Sequence, residues 1–263
     1  MPYVQLYNQD CVEGMAKVPT ESIDLTVTSP PYDNLRDYHG FSFDFDGVSS
    51  ELYRVTKDGG VVVWIVGDAV INGSETGSSF RQALGFMEAG FLLHDTMIYR
   101  KNAFPFSEVN RYNQVFEYMF VLSRGKPKAA HITRVPTKIA NRNPNKNSRN
   151  RQSDGTTVPM QYDTGKEDRN RANVWTYNVG YMHSTKDRFA FEHPAIFPEA
   201  LARDHILSWS NEGDTVLDPF AGSGTTLKVA LQHGRNAVGF EISAEYCDII
   251  RRRLAAVQIA LPI

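Results

Sequence analysis

Five consecutive residues, Thr28-Ser29-Pro30-Pro31-Tyr32, have the types and the order to do chemistry. They follow the short, partly β-branched run Ile23-Asp24-Leu25-Thr26-Val27, so a buried strand is expected to end abruptly in a rigid loop at the carboxyl edge of a sheet. Two prolines fix φ and remove two backbone donors, leaving carbonyls that only accept, while Ser29 adds a hydroxyl and Tyr32 a flat ring. Such a corner suits a planar group that carries an NH2. The exocyclic amine of a base is a poor nucleophile because its lone pair is delocalised into the ring. Two acceptors holding its hydrogens pull the nitrogen toward sp3 and free that lone pair. A plain turn uses the same residue types, so the loop alone leaves both readings open.

A second stretch narrows the choice. Val216-Leu217-Asp218-Pro219-Phe220-Ala221-Gly222-Ser223-Gly224-Thr225-Thr226 reads as a strand, a turn of small residues and a helix opening. Glycines let the backbone approach a ligand closely, and the helix start points unpaired N–H groups at it. Glu241 follows Gly222 by 19 residues, at the end of the next expected strand, Asn236 to Ile242, where a carboxylate suits ribose hydroxyls. A dinucleotide site is the usual rival for one glycine loop.

Taken together, the two loops resemble those of the S-adenosylmethionine-dependent amino-methyltransferases of DNA. That family carries a (Ser/Asp/Asn)-Pro-Pro-(Tyr/Phe) loop and an Asp-Pro-Phe-x-Gly-Ser-Gly-Thr-Thr loop, and both match here without a gap. The catalytic loop precedes the cofactor loop, which resembles the permuted β group. The resemblance covers residues 1–125 and 185–260. It implies an α/β, Rossmann-like methyltransferase fold: a mostly parallel twisted sheet in circularly permuted order, with a basic target-recognition insert. Ser29, Pro30, Pro31 and Tyr32 would be catalytic, Tyr32 stacking on a base flipped out of the duplex. Asp218, Pro219, Phe220, Ala221, Gly222, Ser223, Gly224, Thr225 and Glu241 would hold S-adenosylmethionine and release S-adenosylhomocysteine. Asp10 and Phe197 would join them, although Asp10 reads equally as the N-cap of a helix over Cys11 to Ala16, and Phe197 equally as core. Serine at position 29 is commonest among cytosine-N4 enzymes and aspartate among adenine-N6 enzymes, so the reading leans to cytosine N4 with adenine N6 as the alternative. Methylation of RNA bases or of a protein glutamine is the next rival, and the loop order argues against it. A binding protein without turnover would not need both loops intact.

The elements that must position these loops follow along the chain. Tyr3 to Tyr7 reads as a strand that brings Asp10 to the ligand edge. Asp33 to Tyr38 is polar with aromatic interruption and reads either as a loop that orders around a flipped base with Arg36 near a phosphate or as a solvated loop packed by Tyr38. Glu51 to Thr56 reads as a helix ending at Lys57-Asp58-Gly59-Gly60. Val61 to Val66 is a continuous apolar strand, after which Asp68 caps a turn. Ser79 to Ala89 has helical spacing through Phe80, Leu84 and Met87, with Gly90 as its stop. Phe91 to Arg100 and Val115 to Ser123 read as an antiparallel pair. Near the end, Pro198 opens a helix, and the last helix buries Cys247, Ile250, Leu254, Val257 and Leu261 while Arg251-Arg252-Arg253 reads as a solvated face.

From Lys126 to Arg171 the composition shifts to 11 Lys and Arg against 4 Asp and Glu, so a segment near +7 sits in a chain whose net charge is -2. Ala140 to Arg151 has almost no apolar side chain and supplies no core. Basic residues interleaved with Asn fit phosphate contact and base-edge reading, with Arg142, Lys146, Arg149 and Arg151 as the contacts; a soluble linker is the plainer alternative. The division is therefore 1–125 with 172–263 as the catalytic domain and 126–171 as the target-recognition insert. Cys11 and Cys247 have neither metal nor disulfide spacing, His193 has no partner at ligand spacing, and no apolar segment reads as an export signal or membrane span. A reducing cytoplasm, no metal, no membrane, double-stranded DNA as partner and a monomer or homodimer are expected. In a restriction-modification setting a cognate restriction endonuclease would be a further partner.

Overall fold

A computed structural model describes residues 2–31, 44–102, 110–136, 149–159 and 167–260. It divides into two units, Met1–His131 with Asn173–Ile263, and Ile132–Ala172. The first unit begins with β1 (Val4–Asn8), α1 (Cys11–Met15), β2 (Ile23–Thr28), α2 (Phe45–Val55), β3 (Thr56–Val66) and a hairpin of β4 (Val70–Ile71) and β5 (Ser74–Glu75). α3 (Ser78–Glu88), β6 (Leu92–Lys101) and β7 (Phe116–Ser123) follow. The second unit contains β8 (Arg134–Pro136), β9 (Arg149–Arg151), β10 (Thr157–Pro159) and β11 (Asp168–Asn170), paired as two short antiparallel ladders, β8 with β11 and β9 with β10. The first unit then resumes with β12 (Val174–Tyr177), α4 (Glu199–Trp209), β13 (Thr215–Asp218), α5 (Thr225–Gln232), β14 (Asn236–Glu241) and α6 (Ala244–Ala260).

Eight strands form one sheet in the order β1-β14-β13-β2-β3-β7-β6-β12. Only β7 runs against the others, pairing antiparallel with both β3 and β6. The continuous apolar run of β3 is explained by burial on both faces. Val61, Val63 and Ile65 join the core beneath α4, α5 and α6, whereas Val62, Trp64 and Val66 join the core beneath α1, α2 and α3. Each such side chain contributes roughly 1.5–3 kcal/mol by leaving water, which makes this strand the spine of a three-layer α/β sandwich.

The sheet reverses direction of growth between β13 and β2. These strands are parallel neighbours (Val216 beside Leu25, Leu217 beside Thr26) although about 190 residues separate them. From β13 the chain crosses through α5 to β14 on one side, and from β2 it crosses through α2 to β3 on the other. Such a switch point opens a crevice at the carboxyl ends of the two strands. The Ser-Pro-Pro loop and the glycine loop are the two segments that leave those ends.

Several elements differ from the expectations. α2 starts at Phe45, capped by the Asp44 carboxylate on Gly47 N, and β3 starts at Thr56, so Lys57-Asp58-Gly59-Gly60 lies within the strand and not in a turn after the helix. Val174 to Tyr177 is an edge strand parallel to β6, with Trp175 and Tyr177 buried and Val174 and Thr176 exposed. On α3 the stripe Phe80, Leu84 and Met87 faces outward, at 51, 59 and 45% exposure. Its inner face is Ser79, Gln82, Ala83 and Phe86, because specific polar bonds set the rotation: the Asp68 carboxylate accepts from Ser79 N and Oγ at 2.9 and 2.6 Å, and Trp64 Nε1 donates to Gln82 Oε1 at 2.8 Å. Asp68 thus caps α3. On α6, Arg251 and Arg252 are exposed as expected of a solvated face, but Arg253 is fully buried. Cys247, Ile250, Leu254 and Val257 are buried as well, and Leu261 lies outside the described residues.

Candidate active site

The crevice at the switch point holds a cavity of about 730 Å³, lined, among the described residues, by residues of the first unit. Its walls include Ser29, Pro30 and Pro31 from the loop after β2, and Pro219 to Ser223 with Thr225 from the loop after β13. Two hydrogen bonds lock these loops together from beneath. Thr28 Oγ1 donates to Asp218 Oδ1 at 2.7 Å, and Thr226 Oγ1 donates to the Val27 carbonyl at 2.9 Å. Burial pushes the Asp218 carboxyl up to about 6, against the bonds from Thr28, Phe220 N and Thr226, while the charge of Glu241 adds to the rise.

Glu241 closes the glycine turn. Its Oε2 accepts from Gly222 N at 2.8 Å and its Oε1 from Ser243 N at 2.9 Å, so one carboxylate clips the two ligand-facing turns to each other. Burial raises its pKa against those bonds. Gly222 has φ +52°, and a Cβ there would stand 3.1 Å from the His193 ring. At Gly224, φ is +78° and a Cβ would meet Ile250 at 2.9 Å, so this glycine is required by packing behind the loop. Asp10 caps α1, accepting from Val12 N and Glu13 N, and also lines the cavity. Phe197 lines the cavity while packing on the core.

The cavity thus brings together Asp10, Ser29, Pro30, Pro31, Phe197, Pro219, Phe220, Ala221, Gly222, Ser223, Thr225 and Glu241. Asp218 and Gly224 stand behind its wall. Tyr32, Arg36, Arg142 and Lys146 lie outside the described residues. Arg149 and Arg151 are exposed on β9 in the second unit, where Arg149 Nε donates to Thr157 Oγ1 at 3.0 Å. Among the described residues, no group of three or more His, Cys, Asp or Glu could hold a metal ion.

Other wall residues carried no motif. Tyr99, Lys101 and Glu117 line the cavity from the carboxyl end of β6 and the start of β7, with Lys101 paired to Glu117. Their signal was polar residues at the ends of otherwise apolar runs, which is visible only when the ends are known to face a crevice. Thr226 was inside the matched glycine-loop motif and Thr28 just before the Ser-Pro-Pro-Tyr motif, yet their bonds cross between strands that are remote in sequence.

The family model described as DNA methylase, for the N6 and N4 amino-methyltransferases, matches residues 23–252. The chain is 57% identical over 235 residues to the orphan methyltransferase M.BamHII of Bacillus amyloliquefaciens, covering 89% of each chain. Among solved structures it is similar to TTHA0409 of Thermus thermophilus complexed with S-adenosyl-L-methionine (TM-score 0.63, 25% identity, 97% of this chain and 95% of that one). It shares its fold with the cytosine-N4-specific PvuII DNA methyltransferase (TM-score 0.70, 20% identity, 98 and 91% covered). With the family match spanning most of the chain, a crevice built from both loops and a mostly parallel Rossmann-like sheet beneath it, the protein belongs to the N6/N4 family of DNA methylases.

Proposed function

We propose that this DNA methylase transfers a methyl group from S-adenosylmethionine to the N4 amino group of a cytosine flipped out of duplex DNA. The observation that carries the reading is that Ser29-Pro30-Pro31 and the glycine loop face one cavity and are bonded to each other through Thr28 and Asp218. The wall fits the cofactor: Gly222 leaves a cradle that a Cβ would fill, Asp10 and Glu241 offer carboxylates to hydroxyl or amino donors, and Phe197 and Phe220 offer apolar surface. When bound, S-adenosylmethionine supplies an electrophilic methyl group.

The chain's own residues prepare the amine. The base must leave the stack, because its amino group is unreachable while paired. The Ser29 hydroxyl and the Pro30 carbonyl accept the two amino hydrogens, and the nitrogen lone pair becomes available. Tyr32 is assigned from sequence alone to stack on the base. The loop needs no strong general base, since the amine loses its proton as or after the C–N bond forms; catalysis is positioning and electrostatics. Glu241 orders the glycine loop and Asp218 holds the catalytic loop in register with it. Arg149 and Arg151, with Arg142 and Lys146, are assigned to DNA within a target-recognition insert over 126–171, and Arg36, from the loop after the catalytic motif, is assigned to DNA beside them.

Serine at 29 favours cytosine, and adenine N6 is the second reading. Labelled cofactor and duplex DNA, followed by digestion to nucleosides, test both. N4-methylcytosine is expected, whereas N6-methyladenine alone would overturn the choice of base and no labelled nucleoside would overturn the reaction. We also assign the enzyme to the cytoplasm as a monomer or homodimer, which sedimentation would check. No helix among the described residues is long and apolar enough to cross a membrane. A cognate restriction endonuclease remains in the reading, and cleavage of unmethylated but not methylated plasmid by an extract of the source cells is its test.

A further inference from the structure

Arg253 is 0% exposed, at the end of a basic run whose other two members are exposed. Its Nη1 donates to the Ser223 carbonyl at 2.8 Å, to Ser223 Oγ at 3.2 Å and to Thr225 Oγ1 at 3.0 Å. Its Nε meets Asp187 Oδ2 at 2.9 Å, and its Nη2 meets Glu199 Oε1 at 2.5 Å and Thr185 Oγ1 at 3.3 Å. Lys228 Nζ reaches the same carboxylates at 2.7 and 2.9 Å. Two cations therefore balance two anions in a site largely closed to water. Burial pushes the Asp187 and Glu199 carboxyls up, but hydrogen bonds and the two cations outweigh it and hold both below their ordinary values.

Stability alone does not account for this cluster. Buried ion networks are often matched or bettered by apolar residues of similar volume, because desolvation offsets much of the attraction. The distinctive feature is what the guanidinium joins. One prong ends on Ser223, in the glycine loop that forms one cavity wall; the other prongs end on Thr185, Asp187 and Glu199, which flank the segment carrying His193, Ile196 and Phe197 into the same cavity. The loop between them contains two glycines at positive φ and has little stiffness of its own. We propose that Arg253 is a positioning residue for the cofactor, holding the glycine loop at a set distance from the 185–199 wall. The proposal rests on reading the cavity as the S-adenosylmethionine site.

The test uses the full-length enzyme. Arg253→Lys keeps the charge but loses the fork that spans both walls, so calorimetry should show the S-adenosylmethionine Kd rising about tenfold, the loss of one charge-assisted hydrogen bond. With saturating cofactor and unmodified plasmid DNA, kcat should fall by less than about threefold and the KM for DNA should be unchanged, as for binding that is uniform along the reaction. Lys228→Met is the comparison: among the described residues its side chain pairs with the same two carboxylates and not with the loop, so it should lower the unfolding temperature while changing cofactor Kd by less than about threefold. Glu199→Gln frees one arm of Arg253 from the far wall without touching the loop. It should raise the Kd about fivefold, and it serves where Arg253→Lys does not fold. Unchanged Kd in Arg253→Lys, or equal Kd changes in Arg253→Lys and Lys228→Met, would overturn the proposal. A wild-type protein that binds no S-adenosylmethionine would remove the cofactor assignment and this inference together; a wild type that binds beside an Arg253→Lys variant that binds equally well would remove only the inference.

Discussion

Asp218 shows at the scale of one residue how a site is held from behind. It is 1% exposed and accepts from Thr28 Oγ1 and from Phe220 N, so it bridges the starts of both loops without entering the cavity. Its folded pKa of about 6 stands above the ordinary 3.8, so the native state binds more protons between those values and loses stability as pH rises through them. Asp218→Asn carries no such penalty. Measured by urea unfolding, the stability of wild type relative to this variant should decline from pH 4 to pH 7, by at most about 3 kcal/mol for a two-unit shift; a constant difference would refute the assignment. Gly222→Val places a branched side chain at φ +52° against His193, and Glu241→Ala removes the clip between Gly222 N and Ser243 N. Each should weaken S-adenosylmethionine binding, Glu241→Ala by roughly 1.5–3 kcal/mol in calorimetry, as for a hydrogen-bonding charged group.

Among elements, the β9/β10 ribbon is the part of the basic segment that carries Arg149 and Arg151. Arg149 and Arg151 alternate along β9 and therefore share one face, opposite Pro159 and Thr157 in register. A two-stranded ribbon of this kind can enter a major groove, with phosphate contacts giving affinity and base edges giving choice. Replacing both arginines by alanine should reduce the salt dependence of DNA binding by about 0.9 in log–log slope for each phosphate that is no longer neutralised. Cofactor affinity should not change, since among the described residues none that lines the cavity belongs to the second unit. An unaltered slope would make the ribbon a spacer.

For the whole molecule, the division into two units separates the proposed tasks. Among the described residues, all those lining the cavity and all strands of the eight-stranded sheet lie in the first unit. Replacing residues 132–172 by a short Gly/Ser linker should therefore leave a folded protein that binds S-adenosylmethionine with wild-type Kd, since flexible linkers cost little stability. DNA binding in a fluorescence anisotropy titration should fall to the non-specific level. Loss of cofactor binding in a folded variant would show that the insert helps to build the site.

What the sequence determined by itself is the part governed by local chemistry. Two prolines after an apolar strand and glycines before a helix are constrained within a few residues, so the strand ends that carry both loops and the Val61–Val66 strand were readable. The antiparallel pair of β6 and β7 was readable too, because each run is long and bounded by turn residues. Tertiary structure decided the rest. Whether an apolar helical stripe faces inward depends on what the helix is bonded to, and on α3 Asp68 and Trp64 turned Ser79 and Gln82 inward and Phe80, Leu84 and Met87 outward. Whether an arginine is solvated depends on acceptors brought from elsewhere. Arg253 is buried because Asp187 and Glu199, 66 and 54 residues away in sequence, meet it together with Ser223. The joining of the two loops through Thr28 and Asp218 likewise exists only because β13 and β2 are neighbours, a pairing that local periodicity does not encode.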